Sequence, residues 1–116
     1  MTPMIDSGWI AAFPAAVTVC DAAGIILYMN QAAERLLAKH GGRTLVGSNL
    51  YDCHPPQAQE KIRALIREGK SNTYTVEKAG VCRLIHQSPW FQRGEVAGLV
   101  EISFEIPADL PRFQRN

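Results

Sequence analysis

Three cysteines and three histidines are the thiol and imidazole side chains in this sequence that could bind a metal ion such as zinc. Cys53 and His54 are neighbours, whereas Cys82 and His86 are four positions apart in a segment that alternates like a β-strand. Four strand residues span about 13 Å, so these two side chains cannot both ligate one zinc ion held at roughly 2.0–2.3 Å from each ligand. There is no CxxC pair, and the odd number of cysteines does not make a disulfide framework. We predict no metal site and reduced thiols, as in a cytoplasmic protein.

Patterns that are typical of catalysis are also missing. The sequence has no nucleophile elbow around a serine, no glycine-rich phosphate loop and no pair of carboxylates at a useful spacing. Glu34 lies on the polar side of a predicted helix, without a visible acid–base partner. We predict that the protein is not an enzyme and keep a small-molecule enzyme as an alternative.

Chain length and composition are those of a single globular domain. The chain has 116 residues, of which 47% are hydrophobic and 20% charged, and its net charge is +1. Charges of one sign form no block, which argues against nucleic acid or an anionic membrane as a partner. No apolar run approaches the roughly 20 residues of a membrane span, and the N-terminus lacks the pattern of a signal peptide. We therefore expect a cytoplasmic protein.

The hydrophobic pattern predicts a short N-terminal helix, two strands, two helices and three strands. Asn30 is a typical helix cap, and Pro56 is tolerated in the first turn of a helix. Short turns join the strands, so neighbours should be antiparallel, with the helices covering one face in an α+β architecture. The predicted strands are 16–20, 25–29, 72–78, 81–91 and 96–106, and the predicted helices are 31–39 and 56–68. The chain as a whole divides into a helical segment (1–13), a domain (14–106) and a flexible tail (107–116).

In their order and spacing, these motifs resemble the PAS domain over nearly the whole chain. The matching segments are Phe13-Pro14-Ala15-Ala16-Val17, Asp21-Ala22-Ala23-Gly24-Ile25-Ile26, Asn30-Gln31-Ala32-Ala33-Glu34, Leu45-Val46-Gly47, Ser88-Pro89 and Gly94-Glu95-Val96-Ala97-Gly98. The segment Asp52-Cys53-His54-Pro55-Pro56, together with Glu101, is similar to a bacterial and archaeal PAS subfamily that has a His-Pro-Pro motif. The resemblance implies a PAS fold, in which a five-stranded antiparallel sheet has helices packed over one face.

The resemblance implies a sensory or regulatory role in signal transduction, in which the domain binds a small ligand or a protein partner. PAS domains commonly form homodimers and pass a signal to an effector. Where many of them end in Asp-Ile-Thr and a signalling helix, this chain has Glu105-Ile106-Pro107. The effector is therefore expected on another chain or beyond this sequence. One alternative is a ligand-free dimerisation module with a packed core, and another is a haem-binding redox or gas sensor.

The motifs support neither of the two cofactors best known in such domains. In photosensory PAS domains a reactive cysteine follows a Gly-Arg-Asn segment, and here Leu50 occupies that position, with Cys53 three residues later. In haem-binding PAS domains the axial histidine lies in the long central helix, which here contains no histidine. Non-covalent flavin and axial ligation of haem by His54 remain open, and the cofactor is unknown.

Two lines of reasoning predict different buried faces for the last strand. Periodicity alone buries the even positions, which are all apolar or small. The resemblance instead places the odd positions in a pocket under the helices, and the implied ligand-binding residues are His54, Arg83, Ile85, Gln87, Leu99, Glu101 and Ser103. Val100 and Ile102 would then lie on an apolar outer face, which needs a cover. The implied dimer and outer-face residues are Trp9, Ile10, Phe13, Val100 and Ile102, and we expect both the first helix and a second subunit to cover this face.

Two charged residues and one histidine have alternative roles. Arg83 and Glu101 would point inward from adjacent strands, and a buried charge must be paired or contact a polar ligand. They either pair with each other or bind a polar ligand. His54 either contacts a ligand or has a structural role, as a cap of the following helix or packed in the helix–sheet joint with one nitrogen bonded.

Overall fold

The computed structural model of the chain describes residues 8–116, except for the side chain of Cys53. The part of the predicted helical segment that precedes Gly8 lies outside the described residues. The elements are α1 (Gly8–Ala12), β1 (Ala16–Asp21), β2 (Ile26–Met29), α2 (Gln31–Leu36), α3 (Pro56–Glu68), β3 (Asn72–Lys78), β4 (Val81–Gln92) and β5 (Glu95–Ile106). Residues 107–116 contain neither helix nor strand.

The five strands form one antiparallel sheet in the spatial order β2-β1-β5-β4-β3, as predicted. The strands β3, β4 and β5 follow one another through two-residue turns at Ala79-Gly80 and Arg93-Gly94. All four turn residues have positive φ, which is the geometry of type I′ turns and matches the twist of paired strands. The first and last strands, β1 and β5, pair at the centre of the sheet.

The predicted turn between β1 and β2 is held by the side chain of Asp21. Its Oδ1 accepts hydrogen bonds from the backbone N–H groups of Ala23 and Ile25, both at 2.9 Å. The backbone N–H of Gly24 donates to the carbonyl of Asp21 at 3.0 Å, which closes the turn. The side chain of Asp21 thus supplies the acceptor for two backbone N–H groups at the turn.

Asn30 caps α2, as the sequence predicts, and its Oδ1 accepts from the backbone N–H of Ala33 at 3.0 Å. The side chain is only 1% exposed, and the same oxygen also accepts from Val17 N–H at 2.9 Å. Its Nδ2 donates to the carbonyls of Ile10, Phe13 and Ala15. One asparagine therefore ties the N-terminal segment, β1 and α2 together.

The helix α2 ends at Leu36, three residues before the predicted end at Lys39. The chain then passes through 3-10 turns at Ala38–His40, Gly42–Leu45 and Leu50–Cys53. We call residues 37–55 the connector. The helix α3 begins at Pro56, as predicted, and ends at Gly69, whose φ of +66° favours glycine. No helix within residues 8–116 is long and apolar enough to cross a bilayer.

The helices α2 and α3 pack over one face of the five-stranded sheet, so the predicted α+β architecture is confirmed. Ile62 and Leu65 of α3 pack against Cys20, Leu99 and the connector residue Tyr51 in one buried cluster. A second buried cluster joins α2 to β1 and β2 and consists of Ala16, Ile26, Met29 and Ala33. The core therefore lies between the helices and the β2-β1-β5 side of the sheet.

Candidate functional site

The register of the sheet places the odd positions of β5 under the helices, where the resemblance put them. Glu101 is paired with Thr18 of β1 and Gln87 of β4, and Leu99 is paired with Cys20, a member of the buried cluster. Paired residues share a face of the sheet. Burial of the even positions, as periodicity alone predicts, is therefore wrong for the helix-covered face.

A partly enclosed cavity of about 260 Å³ lies between this face of the sheet, α3 and the connector. One side of it is polar and the other is mainly aliphatic. The lining residues are Thr18, Cys20, Ile26, Leu37, His40, Leu45, Leu50, His54, Ile62, Gln87, Leu99 and Glu101. Four of the predicted ligand-binding residues thus line one cavity: His54, Gln87, Leu99 and Glu101. Arg83, Ile85 and Ser103 lie on the same face of the sheet and do not line it.

The polar side of the cavity, formed by Gln87 and Glu101, belongs to a row of three hydrogen-bonded side chains that crosses β3, β4 and β5. Nδ2 of Asn72 donates to Oε1 of Gln87 at 3.1 Å. Nε2 of Gln87 in turn donates to Oε1 of Glu101 at 3.0 Å. Gln87 is buried and Glu101 is half-buried. The row holds a carboxylate at the cavity wall by a charge-assisted hydrogen bond.

Arg83 does not pair with Glu101, so the internal ion pair considered from the sequence is wrong. The Arg83 guanidinium donates through Nη2 to Oγ of Ser103 at 2.9 Å. In the sheet Arg83 is paired with Glu105, whereas Glu101 is paired with Gln87. Arg83 and Glu101 are therefore offset by four residues along the strands, which separates them by about 13 Å.

His54 lies at the end of the connector with its ring at the cavity. Its Nδ1 is 2.7 Å from the carbonyl oxygen of Leu50, and a carbonyl can only accept, so Nδ1 carries a proton. The cap position of α3 is occupied by Pro55, and no side chain caps the helix there. The capping role considered for His54 is therefore wrong. Gln59 instead donates through Nε2 to the carbonyls of Tyr51 and His54, at 2.7 and 2.8 Å.

Cys20 adds a buried thiol to the cavity wall. It is 3% exposed, and burial, helped by the negative charges of Asp21 and Glu101, raises the pKa of the thiol above its ordinary value. The neutral thiol is thus the favoured form, which makes this cysteine a poor nucleophile at neutral pH. It contributes to the wall as a small apolar group.

The other metal-binding residue types are dispersed over the fold. Cys82 and His86 are paired with Ile106 and Ile102 of β5, on the face away from the helices, whereas His54 lies on the helix side. Nδ1 of His86 is 2.7 Å from Oγ1 of Thr73. Among the described residues, which leave out the side chain of Cys53, no three His, Cys, Asp or Glu side chains are grouped to hold a metal ion.

The predicted dimer residues divide between two places. Val100 and Ile102 are half-buried on the outer face, paired with Val19 and Val17. In the N-terminal segment, Trp9 and Phe13 form an edge-on ring pair with centroids 6.0 Å apart, and they are 57% and 44% exposed. The neighbouring Ile10 is half-buried. Their role in a dimer stays a prediction.

A larger but wide-open depression of about 440 Å³ lies on the other side of Tyr51. Its main feature is Arg63, whose guanidinium carbon lies 4.2 Å from the centre of the Tyr51 ring, a cation–π contact. Arg67, also in its wall, forms ion pairs with Glu60 and Glu68. Because the arginines already have partners and the depression is more open to solvent, the partly enclosed cavity is the better candidate site.

The sequence does not reveal the connector residues in the cavity wall. Leu45 and Leu50 belong to short 3-10 turns, which have no hydrophobic period that would assign them to a face, and Leu37 is the residue that joins α2 to the first of these turns. Thr18 and Cys20 could have been found, because β1 alternates and both residues share its inward side with Ala16.

Comparison with known proteins identifies the fold. The family model described as the PAS fold matches residues 10–108. No curated protein sequence matches the chain. Similar solved structures include the VqmA dimer of Vibrio cholerae, with 17% identity and a TM-score of 0.66 over 86% of this chain and 49% of that chain. The Aer2 receptor of Vibrio cholerae, described as a dual PAS-heme oxygen sensor, has 20% identity and a TM-score of 0.63 over 80% and 95% of the two chains.

A sensory box sensor histidine kinase of Vibrio cholerae is also similar, with 14% identity and a TM-score of 0.64 over 87% of this chain and 89% of that chain. At these identities the likeness shows the fold. This chain spans about half (49%) of the VqmA chain. Since the family model covers nearly all of the described residues, the chain belongs to the PAS fold family.

Proposed function

We propose that this protein is a sensory PAS domain that binds a small molecule in the cavity and takes part in signal transduction. The observation that carries the proposal is the partly enclosed space of about 260 Å³ between the sheet and the connector. Its wall is mainly apolar and has a small number of polar groups, with Glu101 and His54 among them, which is the usual composition of a ligand site. A fully packed core would leave no such space.

Related structures support a sensory role. VqmA has been solved bound to DPO, and the Aer2 receptor is described as an oxygen sensor. We also propose that the chain belongs to the PAS subfamily with the His-Pro-Pro motif, on the strength of His54-Pro55-Pro56 and Glu101. A cytoplasmic location, a homodimer and an effector on another chain or beyond this sequence complete the proposal.

Haem and flavin fit the cavity poorly. Pockets for drug-sized ligands measure roughly 300–1,000 Å³. The cavity, at about 260 Å³, is smaller than that range, and haem and flavin are large ligands. A small metabolite matches the space better.

The alternative function is that of an interaction module that binds no ligand. The observation in its favour is the half-buried apolar outer face around Val100 and Ile102, together with the exposed Trp9 and Phe13. Large exposed aromatic side chains are typical of surfaces that bind other proteins. Under this alternative the cavity would stay empty in the working protein.

A cavity-filling substitution distinguishes the two functions. Leu50→Trp places a large side chain in the cavity wall, whereas Leu36→Trp makes the same change at an exposed position of α2. The protein would be purified without denaturation and extracted with solvent, and the extract analysed by mass spectrometry. We expect one small molecule in near-stoichiometric amount from the wild type and Leu36→Trp, and its loss from Leu50→Trp. If all three extracts are empty, and no compound of a metabolite library raises the melting temperature of the wild type, ligand sensing is wrong.

A further inference from the structure

We propose that the cavity selects a small, mainly apolar molecule that carries an N–H group or a protonated nitrogen, and that the Glu101 carboxylate recognises that group. The inference rests on the proposed function, since it assigns a ligand class to the same cavity. It follows from the hydrogen-bonding capacity that the wall leaves unused.

Glu101 has one occupied oxygen and one unused oxygen. Oε1 accepts from Nε2 of Gln87 at 3.0 Å. Within residues 8–116 no hydrogen bond or ion pair engages Oε2. An ionised carboxylate can only accept hydrogen bonds, and a charge removed from water needs a partner. A ligand that fills the cavity and displaces its water must therefore supply a donor to this oxygen.

His54 presents a second acceptor to the same space. Because Nδ1 carries the proton that bonds to Leu50, the neutral ring has a lone pair on Nε2. The hydroxyl of Thr18 and the ring of His40, also in the wall, can each donate or accept and therefore adapt to either kind of ligand. The fixed polar groups of the wall thus favour a ligand that donates.

The charges of the lining residues also favour a ligand that donates hydrogen bonds. Among the lining residues there is no lysine or arginine. The arginine nearest along the adjacent strand, Arg83, donates to Ser103 instead. A carboxylate or phosphate ligand would be placed beside Glu101 without a compensating cation, and like charges in a partly buried site repel strongly. A cationic or neutral donor would instead be attracted by the negative charge of Glu101.

Asn72 and Gln87 act as positioning residues for the carboxylate. Nδ2 of Asn72 donates to Oε1 of Gln87, which fixes which end of the Gln87 amide is turned toward β5. The amide NH₂ of Gln87 therefore donates to Glu101, and its oxygen is kept away from the carboxylate. Without Asn72 the amide could rotate and place its oxygen against the carboxylate, which would push Glu101 out of position.

The volume sets the size of the ligand. A dry cavity of about 150 Å³ accommodates benzene, whereas drug-sized molecules need roughly 300 Å³ or more. The space here, about 260 Å³, lies between these limits. A single substituted ring is therefore a suitable probe. Benzamidinium, benzoate and α-methylstyrene have nearly the same shape and are respectively a cationic donor, an anion and an apolar molecule.

The test is a titration of the full ¹⁵N-labelled chain, first freed of any co-purified molecule, with each of these probes, followed through the backbone amide shifts of Leu99 and Gln87. The variants are Glu101→Gln, Asn72→Ala and the control Glu105→Gln, which removes the same charge from an exposed position of the same strand. We expect the wild type and Glu105→Gln to prefer benzamidinium over α-methylstyrene by about tenfold or more. Glu101→Gln and Asn72→Ala should reduce that preference and leave the affinity for α-methylstyrene unchanged. Benzoate should not bind.

The outcomes separate this inference from the proposed function. If α-methylstyrene shifts the cavity amides but benzamidinium binds no better, or if Glu101→Gln binds both probes like the wild type, the cavity is a ligand site and its selectivity for donors is wrong. Tighter binding of benzoate than of benzamidinium also overturns the selectivity. If none of the probes shifts these amides, both the ligand site and the ligand class are contradicted.

Discussion

Replacing Asn30 with alanine should cost more stability than any other change of a single polar side chain in this fold. Its two polar atoms make five hydrogen bonds, to the N–H groups of Val17 and Ala33 and to the carbonyls of Ile10, Phe13 and Ala15. The side chain is 1% exposed, so water cannot replace it in the folded protein. Alanine would leave these groups without their partner.

The expected loss is about 3–5 kcal/mol. Removal of a helix cap costs about 1 kcal/mol, which accounts for Ala33. A buried N–H without an acceptor costs about 1–3 kcal/mol, which accounts for Val17, and the buried bond to Ala15 adds about 1 kcal/mol. The carbonyls of Ile10 and Phe13 are only partly buried, so water can reach them and their loss adds little. A small domain is stable by about 5–15 kcal/mol, so the variant should still fold.

Urea unfolding followed by circular dichroism measures this loss, with Asn49→Ala as the matched control. The Asn49 side chain is also an N-cap, but it is half-buried and accepts one hydrogen bond, from Tyr51 N–H at 3.0 Å. We expect about 1 kcal/mol from the control. If the free energies of unfolding of the two variants agree within about 1 kcal/mol, the reasoning from buried hydrogen bonds is refuted.

The substitution Asn30→Asp separates the two halves of the network. It keeps an acceptor for Val17 and Ala33 N–H and replaces the donor by a charged oxygen that faces three carbonyls. Protonation of the carboxyl would restore a donor. The stability deficit relative to the wild type should therefore shrink as the pH falls, and a deficit independent of pH would mean that the donor side contributes little.

Two further predictions concern Gly98 and Cys20. A Cβ at Gly98 would lie 2.8 Å from Cα of Asp21 and closer still to the Cys20 carbonyl. Gly98→Ala should therefore unfold the protein or destabilise it by more than about 3 kcal/mol. The control Gly80→Ala, at an open turn, should cost about 1 kcal/mol. Because burial raises the pKa of Cys20 above its ordinary 9.0, the folded state holds that proton more tightly, and stability should fall as the pH rises past about 9. Cys20→Ala should weaken this alkaline decline in urea titrations, and Cys82→Ala should not; equal slopes for both variants would contradict the prediction.

Much of the fold is predictable because local signals and the global fold agree. The turn at Asp21, the cap at Asn30 and the start of α3 at Pro56 each depend on the chemistry of one residue and its neighbours in sequence. The end of α2 is not local. A leucine and an alanine are good helix formers at positions 37 and 38, yet Gly42 N–H reaches back to the Leu37 carbonyl and turns the chain into the connector.

The site was only partly predictable, because it depends on the register between strands. The resemblance implied that Arg83 and Glu101 share a face of the sheet, and they do. An ion pair between them would also require that they lie opposite each other on the adjacent strands. The turn at Arg93-Gly94 and the irregularity between Trp90 and Phe91 set the register, and they place Glu101 opposite Gln87. A strand pattern has a period of two and cannot tell which inward residue is the partner.

The placement of Gly98 explains how a side chain of β4 reaches β1 across the central strand of the sheet. The indole of Trp90, which is paired with Gly98, reaches across the central strand, and its Nε1 donates to the Cys20 carbonyl at 2.9 Å. A side chain at Gly98 would block this path, since a Cβ there already meets the backbone of β1. The bond joins β4 directly to β1, next to the wall residues Cys20 and Leu99.

The cavity lies between two parts of the chain that are bonded very differently. The sheet wall has continuous ladders and the Asn72–Gln87–Glu101 row. The connector is joined to β2 and to the turn before it by a few backbone bonds, from Gly47 N–H to Ile26, from Ile26 N–H to Ser48 and from Leu50 N–H to Gly24. Elements with few bonds open at lower free energy than a central sheet. A ligand held by Glu101 on one side and His54 on the other would therefore act mainly on the connector, because the connector is the wall that can rearrange.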